Sequence, residues 1–146
     1  MVSTAMPDIR TLAPAVATCL GAGWRSEPHP EHPHASAFLT HEDGRQVSLY
    51  VDQYASPQAV RVQASGREPT PPVGILVKDT GIDFGHITMA ATKSARQIAA
   101  DVSRRLLPTL AASLVQWQAR VDKLCAEEAQ RTAAANCLAA ALRTRR

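Results

Sequence analysis

Residues 35–52 read ASAFLTHEDGRQVSLYVD, two runs of alternating apolar and polar residues joined at Asp43-Gly44. An Asp-Gly pair between such runs favours the type I′ turn of a two-residue β-hairpin. This turn pairs Thr40 with Val47 and predicts a buried face made of Phe38, Val47, Leu49 and Val51. The other face, largely solvated, then carries Leu39, His41, Gln46, Ser48, Tyr50 and Asp52.

Further strands are predicted on the C-terminal side of this hairpin. Val60, Val62 and Ala64 alternate with polar residues, and residues 75–77 and 87–91 are two more short apolar runs. On the N-terminal side, residues 25–34 (RSEPHPEHPH) are predicted to form an extended loop, because their prolines interrupt regular structure. The pattern therefore indicates an antiparallel meander of three to five strands.

Helices are predicted at both ends of the chain. Residues 4–20 carry apolar side chains at three- and four-residue spacings, and we expect this helix to begin near Thr11 with Pro14 in its first turn. A second helix is expected after residue 92, capped by Thr92 or Ser94 and ended by Pro108. Its predicted inward stripe consists of Ala95, Ile98, Ala99, Val102 and Leu106.

The last third of the chain predicts a long helix with an interaction surface. Residues 109–142 contain neither Gly nor Pro, so one uninterrupted helix would be about 50 Å long. Such a helix either bends into two antiparallel pieces or finds a partner. Its heptad spacing indicates a protein interface and a homodimer, with the seam formed by Leu110, Leu114, Trp117, Val121 and Leu124. The seam is interrupted at Glu128 and Arg131 before it resumes at Ala135, Leu138 and Leu142.

Together these segments predict a single α+β domain spanning residues 1–146. An antiparallel β-meander of three to five strands packs against the N-terminal helix and the long C-terminal helices. Residues 1–91 hold the first helix and the sheet, whereas residues 92–146 are helical, basic and a candidate dimerisation segment. With 26 alanines and 4% aromatic residues, the composition favours an aliphatic core and disfavours an aromatic-rich sheet that stacks nucleic-acid bases.

The charge of the chain is unevenly distributed. Residues 1–86 carry six basic and nine acidic side chains, whereas residues 87–146 carry ten basic and four acidic ones. This asymmetry suggests DNA or RNA binding as an alternative function. The residues that would contact phosphates are Lys93, Arg96, Arg104, Arg105, Arg143, Arg145 and Arg146.

Candidate catalytic and metal-binding residues are few. His29 and His32 are weak metal candidates, since residues three apart share a face of an extended polyproline segment. Asp79-Thr80-Gly81 resembles the active-site triplet of retropepsin-type aspartic proteases, but Lys78 and Ile82 depart from that pattern and favour an ordinary turn. We therefore predict no catalytic residues, no cofactor and no enzymatic activity.

The resulting hypothesis is a non-catalytic interaction protein that binds a macromolecular protein partner. The Ala- and Arg-rich composition indicates a GC-rich bacterial or phage genome, which suggests a mobile-element accessory protein such as an inhibitor of a host defence complex. No apolar run is long enough to span a bilayer. Three widely spaced cysteines form no disulfide framework. We therefore expect a cytoplasmic protein with no membrane partner.

Overall fold

The computed structural model describes residues 8–52, 60–78 and 80–143, and it confirms the α+β class. Five strands form one sheet in the order β1-β2-β3-β4-β5, with every neighbouring pair antiparallel. The elements are α1 (Ile9–Leu20), β1 (Trp24–Pro28), β2 (Ser36–His41), β3 (Gln46–Asp52), β4 (Arg61–Gly66), β5 (His86–Ala90), α2 (Ala95–Asp101), a π-helical turn (Val102–Leu106) and α3 (Leu107–Arg143). Within these described ranges, no helix is both long and apolar enough to cross a membrane.

The chain divides into two compact units. The first comprises Met1–Pro69 and Asp83–Ala112 and contains the whole sheet, α1 and α2. The second comprises Thr70–Ile82 and Ser113–Arg146 and contains most of α3. Helix α3 therefore contributes to both units.

The turn between β2 and β3 is a three-residue loop and not the predicted two-residue one. The amide of His41 donates to the carbonyl of Arg45 at 2.9 Å, and the amide of Gly44 donates to the carbonyl of His41 at 3.0 Å. Gly44 has φ +97°, in the left-handed region that such loops require at this position. The Asp43 carboxylate accepts the amide of Arg45 at 2.9 Å, which stabilises the loop.

The extra loop residue shifts the strand register by one position. Leu39 pairs with Val47, and Ala37 pairs with Leu49. The prediction that Phe38 faces the core and Leu39 faces solvent was therefore wrong. Leu39 is fully buried, whereas Phe38 lies on the opposite face. The core face of the sheet consists of Ala37, Leu39, Val47, Leu49, Val51, Val62, Ala64, Ile87 and Met89. Helix α1 packs on β1, β2 and β3, and it buries Ile9, Ala13, Val16 and Ala17.

The first strand lies in a segment that was predicted to be a loop. β1 pairs with β2 along its whole length, and its last residue, Pro28, lies opposite Ala37. A proline is tolerated there because β1 is an edge strand, where a missing N–H group need not break the ladder. Residues 75–77, by contrast, form no strand.

Helix α1 begins two residues earlier than predicted. Asp8 is its N-cap and accepts the amide of Arg10 at 3.0 Å. Pro14 therefore lies inside the helix, on its exposed side. Because a side-chain cap already fixes the helix start, the proline does not determine it.

The predicted cap of α2 is confirmed, but the predicted end of that helix was wrong. Ser94 accepts the amide of Gln97 at 3.2 Å, and the Gln97 side chain accepts the amide of Ser94 at 2.9 Å, which forms a capping box. At Pro108 the chain does not leave the helix. The amide of Leu107 donates to the carbonyl of Val102, the wide spacing of a π turn, and α3 continues from there. The wider turn accommodates the proline, so residues 95–143 form one helical run.

Candidate functional site

The predicted interface seam on α3 is largely buried by the chain itself. Leu110, Trp117 and Val121 are 0%, 6% and 3% exposed, whereas Leu114 and Leu124 are half-buried. Within the second unit, Leu124 lines a groove of about 260 Å³ together with Leu76. The surface of the seam that a partner can reach is therefore small.

The C-terminal end of α3 differs from the rest of the helix. Residues 126–143 are exposed except Glu128 and Ala139, which are half-buried. Leu138 and Leu142 are each 62% exposed. They share one face of the helix with Ala135 and Ala139, and we call these four residues the terminal stripe. The stripe is apolar, and its two leucines are largely solvent-exposed.

Two of the predicted phosphate-binding residues are already paired. Lys93 Nζ and Arg104 Nη2 both donate to the carboxylate of Asp101, whose side chain is 7% exposed. The Lys93 hydrogen bond is the main cause that holds the pKa of Asp101 below its usual value, and the positive charges of Lys93 and Arg104 reinforce it against the effect of burial. The charges of Lys93 and Arg104 are therefore already engaged in ion pairs with Asp101.

The other basic residues are spread along the chain. Arg96 and Arg105 are exposed. Arg143 lies at the end of α3 and donates to the carbonyl of Ala139 at 3.4 Å. Arg145 and Arg146 lie outside the described residues. The predicted nucleic-acid surface is therefore placed only in part.

The two metal candidates are close to each other. The ring centroids of His29 and His32 are 5.2 Å apart. The Nδ1 atom of His29 accepts the backbone amides of Glu31 at 3.0 Å and His32 at 3.2 Å, so this nitrogen is not available as a ligand atom. Across the described ranges, no three His, Cys, Asp or Glu side chains are placed to hold a metal ion. Asp79 of the aspartic-protease-like triplet lies outside the described residues.

A cleft of about 540 Å³ lies on the face of the sheet opposite the core, and its walls include both histidines. We call it the outer-face cleft. Its aromatic, imidazole and charged lining residues are His29, His32, Phe38, Tyr50, Asp52 and Arg67. The guanidinium of Arg67 lies 4.0 Å from the centroid of the Phe38 ring. Sequence reasoning missed this site because it placed Phe38 in the core, and because the residues that form it are scattered from position 29 to 67.

Comparison with known proteins adds no family assignment. A scan against protein-family models, a search of curated proteins and a search of solved structures each found no match to this chain.

Proposed function

We propose that this chain is a non-catalytic interaction protein that binds a protein partner through the terminal stripe of α3, and that this partner is a second copy of the chain. The exposure of Leu138 and Leu142 is the observation that carries the proposal. Large apolar side chains on one face of a helix usually contact another surface.

The length of the exposed segment supports this proposal. Residues 126–143 extend about 27 Å along the helix axis. In proteins most helical stability comes from the packing of an apolar face, and this exposed segment has little such packing among the described residues. The Ala-rich surface around the stripe lets a second helix approach closely, and burying the two leucines against it would stabilise both helices.

Charge complementarity favours a second copy in antiparallel orientation. Glu127 precedes Ala135 by eight residues, and Arg143 follows it by eight. Two antiparallel helices that cross at Ala135 therefore bring Glu127 of each copy to the same level along the helix axes as Arg143 of the other, where the opposite charges favour this orientation. Arg131 Nη1 contacts Glu128 Oε2 of the same helix at 3.0 Å, so these two charges remain compensated in either state.

The oligomeric state in solution tests the proposal. We expect the wild-type chain to be a dimer at about 50 μM by light scattering, and the double variant Leu138→Ala, Leu142→Ala to be a monomer. The matched control is Val115→Ala, because Val115 is 70% exposed on the same helix but lies outside the terminal stripe. A monomeric wild type, or an equal loss of dimer in Val115→Ala, contradicts the proposal.

The orientation of the two helices is tested by exchanging charges. Glu127→Arg is expected to weaken the dimer because it places two positive charges at the same level of the two helices. Adding Arg143→Glu to this variant restores opposite charges, so it should recover most of the affinity. Recovery supports the antiparallel arrangement, and its absence contradicts that arrangement.

Nucleic-acid binding by the basic residues is less well supported, because Lys93 and Arg104 are both paired with Asp101. It makes a distinct prediction, namely binding that weakens steeply as salt is raised and is lost on charge reversal of Arg105 together with Arg104. A gel-shift assay at low salt that shows no binding excludes it.

A further inference from the structure

We propose that the outer-face cleft binds a nucleotide, with the phosphate at Arg67 and the edge of the base at Asp52. Its volume of about 540 Å³ lies within the range of small-molecule sites. The lining residues that the structure describes all belong to the first compact unit. This inference is independent of the terminal stripe, which belongs to the second unit.

One end of the cleft is built to hold an anion. Arg67 is half-buried, and among the described residues it forms no ion pair. Its guanidinium is held 4.0 Å from the Phe38 ring centroid, which restricts its orientation. The N–H groups at the edge of a guanidinium match the oxygens of a phosphate. Arg67 is therefore a positive charge of restricted orientation that has no counter-ion in the part of the chain that the structure describes.

The wall of the cleft offers aromatic surfaces. The His29 ring lies 5.0 Å from Phe38, and the His32 ring lies 5.2 Å from His29. Because Nδ1 of His29 accepts two backbone amides, Nε2 carries the ring proton and is a hydrogen-bond donor. Such π surfaces stack on nucleobases with little dependence on sequence. A planar ring is thus a ligand shape that suits this wall.

The other end of the cleft carries a positioned carboxylate. Tyr50 donates to Gln63 Oε1 at 2.6 Å, and Gln63 Nε2 donates to Asp52 Oδ2 at 2.7 Å. Asp52 lies four residues beyond Ser48, the strand partner of Phe38, a distance of about 13 Å along β3. A carboxylate repels a phosphate but accepts the amino N–H groups of a base. The ligand is therefore oriented, with its donors at Asp52 and its anion at Arg67.

Calorimetric titration with the four nucleoside monophosphates tests the proposal. We expect AMP, GMP and CMP to bind, and UMP to bind about fivefold more weakly, because the uracil carbonyls face the carboxylate. Adenosine, which lacks the phosphate, and ribose 5-phosphate, which lacks the base, should each bind about tenfold more weakly than AMP. Absence of binding at about 1 mM, or equal binding of inorganic phosphate, overturns the proposal.

Two variants in the cleft and one control outside it test whether the nucleotide binds there. Arg67→Gln should weaken AMP binding about tenfold or more, and Asp52→Asn should remove the discrimination against UMP. The control is Arg25→Gln, an exposed arginine on the same sheet whose ion pair with Glu27, at 3.8 Å, is outside the cleft. An equal effect of Arg25→Gln, with circular dichroism unchanged in all three, overturns the assignment to this cleft.

The same chemistry is present in a free nucleotide and in a residue of a single strand. Titration with a single-stranded adenine decanucleotide separates these two sources. Tighter binding of the decanucleotide than of AMP, lost in Arg67→Gln, identifies single-stranded nucleic acid as the ligand. Binding of AMP alone identifies a free nucleotide. Either result supports a nucleotide site. If neither AMP nor the decanucleotide binds, the proposal is contradicted.

Discussion

The β-sheet core and the last eighteen residues of α3 use similar side chains for different purposes. Leu39 in β2 is fully buried, whereas Leu138 in α3 is 62% exposed. Both residues follow the amphipathic spacing of their element, so spacing alone does not distinguish them. The difference shows that an apolar pattern identifies a face, while the partner of that face depends on which other elements fold next to it.

The largest expected change in the free energy of unfolding distinguishes Leu39 from Leu138. Leu39→Ala should lower the free energy of unfolding by about 2–5 kcal/mol, because it leaves a cavity in the core. Leu138→Ala should lower it by less than about 0.5 kcal/mol in the monomer. Urea unfolding of both variants at a concentration where the chain is monomeric measures the contrast. Similar losses in the two variants would show that the terminal stripe is part of a core.

A smaller loss is expected at the ion-pair cluster of the first unit. Asp101→Asn should cost about 1–3 kcal/mol at pH 7, because Lys93 and Arg104 lose a buried charged acceptor. The pKa of Asp101 is lowered in the folded state, so its contribution is present above the ordinary carboxyl pKa of about 4 and is lost as the pH falls through the lowered value.

Urea unfolding at neutral and acid pH measures this contribution. The difference between wild type and Asp101→Asn should shrink as the pH falls below about 4, the ordinary carboxyl pKa. Asp122→Asn is the control, because Asp122 is exposed and accepts only a surface hydrogen bond from Gln118. A difference between wild type and Asp101→Asn that does not change with pH would contradict the role of the ionised carboxylate.

Hydrogen exchange extends the comparison to the backbone. Amides of residues 126–143 should exchange faster than those of residues 98–110, since the latter include the buried Ile98, Val102, Leu106 and Leu110. If the helix end dimerises, its protection should fall by roughly 1.4 kcal/mol for each tenfold decrease in free chain while that concentration exceeds the dissociation constant, and should level off below it. Protection of residues 126–143 that is independent of concentration would argue against self-association.

The smallest effect is expected at two neighbouring arginines. Arg104→Gln should cost less than about 1 kcal/mol, because the Arg104 side chain is 76% exposed although it pairs with Asp101. Arg105→Gln should be close to neutral for unfolding. Comparing the two by urea unfolding shows whether the Asp101 cluster depends on Arg104 or on Lys93 alone.

Much of the fold could be predicted from local sequence chemistry. Asp43-Gly44 identified the hairpin, and Ser94, one of the two predicted caps, begins α2. The register could not be fixed in this way, because an Asp-Gly pair fits both a two-residue and a three-residue loop, and the one-residue difference moves Phe38 to the other face. The strand β1 was not predicted, because Pro28 argues against a strand at the centre of a sheet but is tolerated in an edge strand. The position of a strand in the sheet cannot be seen in the local sequence.

The candidate sites were less predictable than the fold. Leu138 and Leu142 were recognised as the end of a heptad pattern, but their exposure depends on tertiary packing. The outer-face cleft brings Arg67 onto Phe38 and Phe38 next to His29 through the pairing of separate strands. No short motif records such an arrangement, because its members are distant in the chain.

The π-helical turn at Val102–Leu106 also sets the rotational phase of the helical run. Ile98, Val102, Leu106 and Leu110 are buried and recur at every fourth residue. In a regular α-helix each step of four turns the side chain by about 40° past its predecessor, so three steps would move it by about 120°. A π turn contains more residues per turn and cancels part of this drift. Deleting one residue within the turn would therefore rotate Leu110 by about 100° relative to Ile98, although neither side chain would be altered.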